Sequence, residues 1–222
     1  MKRAVFAVVL CASLILTGCS TNWVTEAEQI VAVLVPAAAN LVTLVAMLEG
    51  KTVSAEDLAT ISNAGKEAGA DLQLIQSLIA AYDKAEAAAK PGILSQIQSA
   101  TGAVQGSLQG LLMGLHIKDT ATEAKVTAVV GLVLSEVQSL AAVLPVVQGS
   151  SPVAALRATG SGGRLSAHSS ARVPLSANEF VRSYNSTLTA KSGNAELDRT
   201  TGGLQIHLHS KAERVASAGL LK

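Results

Sequence analysis

The sequence predicts an all-α protein: an up-down-up-down antiparallel four-helix bundle followed by a linker and a small C-terminal α or α/β tail. Three observations carry this. Apolar residues make up 49% of the 222-residue chain but aromatics only 2%, so the apolar mass is Ala, Val, Leu and Ile, side chains suited to closely packed helices. Four consecutive segments carry apolar seams with alternating steps of three and four residues. The connections between them, EGKTVS, AKPG and HIKDTA, are short and rich in helix breakers, which sets neighbouring helices antiparallel.

The first helix is expected from about Thr25 to Glu49, with Thr25 and Glu28 in capping-box spacing and Gly50 as the stop. The second opens at Ser54 and Asp57 and reaches about Ala89 on a seam of Leu58, Ile61, Gly65, Ala68, Leu72, Ile75, Ile79 and Tyr82. Pro91, suited to a first turn, starts the third, with seam Leu94, Ile97, Thr101, Val104, Leu108, Leu111 and Leu115. Asp119 or Thr120, with Glu123, caps the fourth, whose seam is Val126, Val130, Val133, Val137, Leu140 and Leu144. Glu136 falls opposite that seam, and Glu56, Asp57, Glu67 and Asp71 fall on the outward side of the second helix, as a solvated face.

The chain divides into residues 1–18, a processing segment; 19–149, the bundle; 150–175, a linker rich in Ser, Gly and Arg; and 176–222, a short basic segment. In the last, Ser176 and Glu179 cap a short amphipathic helix that buries Phe180, Val181, Tyr184 and Leu188. LQIHLH then alternates like a strand, and SKAERVASAGLL forms a final helical turn or two.

The N-terminus carries an address. Lys2 and Arg3 precede an apolar run from Ala4 to Leu16, which ends in Leu16-Thr17-Gly18-Cys19. This LTGC resembles the lipobox of bacterial lipoproteins. The resemblance implies that Cys19 becomes the first mature residue and carries acyl chains such as palmitate. Ser20, in place of an aspartate after the cysteine, implies sorting to the outer membrane, facing the periplasm. Several acyl chains anchor stably where one does not. The other cysteine, Cys11, leaves with the signal, so the mature chain has no second thiol for a disulfide or a thiolate metal site.

Charge follows the same division. Residues 19–149 hold twelve acidic against six basic residues, a net charge of −6, and residues 150–222 hold four against nine, +5. Opposite signs suggest that the tail docks on its own bundle or on another anionic surface, the equal alternative being a solvated, partly disordered basic tail. With little aromatic interleaving and an envelope address, nucleic acid is not an expected partner.

Gly102, Gly106, Gly110 and Gly114 recur at every fourth position of the third helix. Each disfavours a helix by about 0.8–1 kcal/mol relative to alanine, so the row needs a use. At 100° per residue it centres nearly opposite the Leu108, Leu111, Leu115 seam. The first expectation is packing against a neighbour inside the bundle. A contact for a second copy or a partner helix, and a membrane-inserted interface, are the alternatives. The row is similar to the glycine zippers of some outer-membrane lipoproteins, whose further motifs this chain lacks. Ile30–Leu48 and Pro91–Leu115 are free of charge and approach the roughly 20 residues that span a bilayer, but the glutamines of the third helix and the charges of the second argue against insertion.

Catalytic chemistry has weak footing. The sharpest candidates are His207 and His209, which on a strand point to one side as paired metal ligands can. Spacing suggests no third ligand, Glu213 and His168 being the candidates that folding would have to bring near, so the pair reads as the wet face of an edge strand. His116 follows the third helix, where a cationic imidazole suits the helix dipole. The Gly160–Gly163 run lacks the Lys-Ser/Thr of a phosphate loop, and no GxSxG elbow occurs. Trp23 is placed either at the headgroup level or as a cap on the bundle. The expectation is a non-enzymatic protein without cofactor that acts by binding.

Overall fold

The computed structural model describes residues 22–48, 53–145 and 176–207. The signal segment with Cys19, the linker, His209 and the final SKAERVASAGLL stretch lie outside the described residues. Four long helices, α1 (Asn22–Leu48), α2 (Ala55–Lys84), α3 (Lys90–Gly114) and α4 (Thr120–Val143), are followed by α5 (Ala177–Thr189) and α6 (Ala195–Gly202). Each long helix packs on its neighbour in the chain, and α1 closes against α4. The result is a four-cornered all-α bundle with antiparallel neighbours.

Local chemistry accounts for the helix ends. Ser54 caps α2 by accepting from the Asp57 N–H at 3.0 Å, and Asp119 caps α4 by accepting from the Thr122 N–H at 3.0 Å. Pro91 stands in the first turn of α3. Two expected boundaries differ. The helix α1 begins at Asn22, so Thr25 lies a turn inside it and caps nothing, and α2 stops at Lys84, short of Ala89. The α2–α3 turn is closed instead by the Ala89 and Lys90 N–H groups donating to the Glu86 carbonyl.

The seams point inward as the spacing predicts. Ile61, Leu72, Ile75, Ile79, Ile97, Val104, Leu108, Leu111, Val130, Val133, Val137 and Leu140 are all buried. The register of α2 and α3 follows from two contacts: the Ser107 hydroxyl donates to Glu67 Oε2 at 3.2 Å, and Gly114 lies against Thr60. Among the described bundle glycines, Gly65 is the one with a backbone-proximity role, since a Cβ there meets Val42 Cγ2 at 3.0 Å and Leu41 Cβ at 3.3 Å.

Two charges expected outside are inside. Asp57 is buried at the end of α2, its carboxylate accepting from the Ser54 hydroxyl and, at 3.1 Å, from the His116 backbone N–H. Glu136 is fully buried because it flanks the seam rather than opposing it, on one stripe of α4 with Lys125, Val129 and Ser139, all buried, and α5 packs on α4 with Lys125 reaching the Ala190 carbonyl at its end. The expected strand is also absent: residues 205–207 form no regular element. The alternation was real, since Leu204 and Ile206 are buried while Gln205 and His207 are exposed. But the backbone partner is a side chain. Asn185 takes both Ile206 groups, Nδ2 donating to its carbonyl and Oδ1 accepting from its N–H, each at 2.8 Å.

Candidate functional site

Two surfaces of the bundle hold the residues that bear on function: the α1–α4 edge, which carries the C-terminal hairpin, and the outward face of α3 near the opposite edge.

At the first, α5 packs on α4 and α1, and α6 folds back onto α5. The Ser176–Glu179 capping box forms as expected, each residue bonding the other's backbone. Gly193, with φ of +88°, turns the chain, and Asn194 caps α6 through the Glu196 and Leu197 N–H groups. Phe180, Tyr184 and Leu188 are fully buried, the two rings 5.5 Å apart. Each contributes about 1.5–3 kcal/mol of burial, enough together to order a hairpin of this size against the bundle.

Polar clasps fix the register. Asn40 Nδ2 of α1 donates to the Leu204 carbonyl at 2.6 Å, and the Thr201 hydroxyl donates to the Leu188 carbonyl at 2.9 Å. Lys125 of α4, its side chain 6% exposed, donates to Asp198 Oδ1 at 2.8 Å and to the Ala190 carbonyl at 2.9 Å. Asp198 also accepts from the Ser192 N–H. The Lys125 hydrogen bond, then those from Ser192, hold the Asp198 carboxyl down at about 2. The described part of the tail thus docks on its own bundle, but the charges run opposite to the net-charge argument, with the lysine on the acidic bundle and the aspartate on the basic tail. Apolar burial does most of the work.

The same edge buries polar atoms without hydrogen-bond partners among the described residues. Both Glu136 carboxylate oxygens and the Tyr184 hydroxyl are of this kind. Burial lifts the Tyr184 hydroxyl to about 12, the Asn40 side chain beside it acting in the opposite direction.

The second surface is the outward side of α3. A Cβ built at Gly102, Gly106 or Gly110 meets nothing within 4 Å, and at Gly114 only Thr60 at 4.0 Å. Among the described residues the glycine row is therefore not packed inside the bundle, contrary to the first expectation. Its face points directly away from the buried seam and is shared with Ser95, Ser99, Ala103 and Met113, all exposed. No charge occurs from Pro91 to Gly114. Met113 is 79% exposed, and Leu74, on the adjoining stripe of α2, is 47% exposed. No other large hydrophobic side chain among the described residues is as open.

Trp23 caps the bundle. It is buried edge-on against Tyr82, ring centroids 4.8 Å apart, with Lys90 Nζ 4.9 Å over the Tyr82 ring. This places the start of α1, the end of α2 and the start of α3 at one end. At the other end, Val53, Ser54, Asp57, His116 and Lys118 line a shallow depression of about 240 Å³. Its serine, aspartate and histidine are not arranged as a nucleophile and base. Asp57 contacts the His116 backbone rather than its ring, the ring Nδ1 faces the Gly114 carbonyl at 2.8 Å, and the Ser54 hydrogen bond lowers the Asp57 carboxyl. The contact ties the α3–α4 turn to the start of α2. His207 is exposed, and no group of three metal-ligating side chains forms among the described residues.

Two helices, Trp23–Leu44 and Thr120–Val143, are long and apolar enough to cross a membrane, but about half of each is buried inside the bundle, as in the core helices of a soluble protein. The second was not expected, since α3 looked the better candidate until its glutamines are weighed. Comparison of the chain with protein-family models, with curated proteins and with solved structures finds no match.

Proposed function

We propose that this chain is a lipoprotein of the bacterial envelope, anchored through acylated Cys19, that acts by helix contact and without catalysis, a second copy of itself docking on the outward face of α3. The observation that carries the reading is the openness of that face. A solvated helix face ordinarily holds charged side chains, whereas α3 offers four glycines, small residues and an exposed Met113. Exposed interior glycines disfavour the helix by about 0.8–1 kcal/mol each and gain nothing from packing within the described residues. Another backbone approaching along the row supplies that gain.

A second copy suits the face because both molecules are held in one membrane by the same end of α1. The two α3 helices then run parallel, glycine row against glycine row, and Met113 meets Met113 about a two-fold axis. Mild oxidation of a Gly106→Cys variant tests this, since the mature chain holds no other free thiol. A disulfide-linked dimer supports the reading, provided that Thr127→Cys on the exposed side of α4 gives none. Failure of Gly106→Cys to cross-link in native membranes overturns it.

A second reading, a membrane-inserted oligomer built on the same row, draws on the two helices of spanning length. It requires that a variant lacking residues 1–19 stay with the membrane after alkaline extraction. Release of that variant favours the peripheral, lipid-anchored protein.

A further inference from the structure

The seam between α4 and α5 holds a carboxylate with no compensating cation or hydrogen-bond donor among the described residues. Glu136 is 0% exposed, and neither carboxylate oxygen has a hydrogen-bond partner among the described residues. An ionised carboxylate in that position is strongly disfavoured. The charged groups on every element packed against α4 leave it so. From α5 come Glu179, whose charge acts on Glu136, and exposed Arg182, which acts on Glu179. From α1 come Glu26 and Glu28, both exposed, and from α3 only Lys90 in its first turn. On α4 itself, Glu123 stands in the first turn, and Lys125, about 16 Å along the axis from Glu136 at 1.5 Å per residue, is taken up by Asp198.

Glu179 cannot turn away freely. Its carboxylate accepts from the Ser176 N–H at 3.0 Å and hydroxyl at 2.9 Å, and these bonds keep it ionised below the usual carboxylate range. The two ends of the docked helix therefore differ. At the Ala190 end, Lys125 grips the hairpin through Ala190 and Asp198. At the Ser176 end, about 21 Å away along α5, the Glu179 charge acts on Glu136, and no cation bonds to either carboxylate among the described residues.

We propose that the α5–α6 hairpin is a pH-responsive flap: protonated Glu136 lets the Ser176 end of α5 lie on α4, and ionised Glu136 lifts that end while the Lys125–Asp198 clamp holds the other. Burial first, then Glu179, raises Glu136 from the ordinary 4.5 to about 7. Docking is thus strongest below the ordinary value and weakens as the pH rises to about 7. Across that range Asp198, held at about 2, stays ionised and the clamp persists. Opening uncovers the apolar strips of α1 and α4 that Phe180 and Val181 cover when docked.

Amide hydrogen exchange on the purified protein tests the flap, with rates divided by the intrinsic exchange at each pH. Protection of residues 177–182 is expected to fall on the order of a hundredfold between about pH 5 and about pH 8, with α2 and α3 unchanged. Glu136→Gln abolishes that fall, and Glu179→Gln, which keeps the cap, reduces it. The proposal is overturned if α5 protection in the unmodified protein is independent of pH, if the fall survives Glu136→Gln, or if α2 and α3 lose protection in parallel. Should Glu136→Gln not fold, the carboxyl ¹³C shift of Glu136 decides the matter in the unmodified chain. Titration near 7 supports the flap, and titration at the ordinary value of 4.5 overturns it.

Discussion

Lys125 and Asp198, seventy-three positions apart in the chain, meet at 2.8 Å on the α1–α4 edge and join the C-terminal hairpin to the bundle. The lysine side chain is almost wholly buried, so the pair is a charged contact between hairpin and bundle held largely away from solvent. Both partners make a further hydrogen bond: Lys125 also reaches the Ala190 carbonyl, and Asp198 also takes the Ser192 N–H. A buried pair satisfied in this way specifies where the hairpin sits more than how tightly it is held.

Removing the lysine therefore releases the hairpin without unfolding the bundle. Lys125→Ala is expected to weaken docking by about 3 kcal/mol, read as faster amide exchange in α5 and α6 with α2 and α3 unaffected. In acid the same clamp fails by another route. Asp198 lies below its ordinary value of 3.8, so its contribution is complete above that value and lost as the pH falls towards about 2. Hairpin protection that does not decrease as the pH falls from about 4 to about 2 contradicts the assignment.

Glu136 acts with the opposite sign. Its raised value means that the folded state prefers the proton, so stability declines as the pH climbs from 4.5 to about 7. A rise of that size corresponds to about 3 kcal/mol. Glu136→Gln is expected to raise the melting temperature at pH 8 and leave it unchanged at pH 4. An equal effect at both pH values points to packing rather than charge.

The glycines divide by their surroundings. Gly106→Ala meets nothing and is expected to stabilise the dissociated bundle by about 0.8–1 kcal/mol through helix propensity alone. Gly65→Ala gains the same propensity but drives a Cβ against Val42 and Leu41, so thermal melting should show no net gain. A stability loss in Gly106→Ala means that the row is covered.

Cys19→Ser is expected to abolish incorporation of an alkynyl fatty acid and to free the protein from membranes. Labelling that survives the substitution removes the anchor from the account.

Much of this was legible in the sequence. Seams such as Leu94-Ile97-Thr101-Val104 give the bundle, because apolar spacing of three and four has only one face to bury. The Ser54, Asp119 and Ser176 caps were legible because a cap is local chemistry. Glu136 was placed opposite the seam of α4, whereas at 3.6 residues per turn it stands beside Val133 and Leu140, and α5, some forty positions on, packs on that helix. Asp57 was misread because its partner His116 comes from another turn. Residues 204–206 alternated as a strand does, yet no sequence pattern announces that the Asn185 amide will stand in for a neighbouring strand. The glycine row was placed on the correct side of α3, but periodicity gives direction only and is silent on what lies there.

Light scattering on residues 20–222 in detergent-free buffer tests the central claim most directly. The account expects a soluble dimer that Gly106→Leu converts to a folded monomer with unchanged circular dichroism. A monomer before any substitution contradicts self-association through α3. Protein that stays in solution only with detergent contradicts the soluble bundle itself.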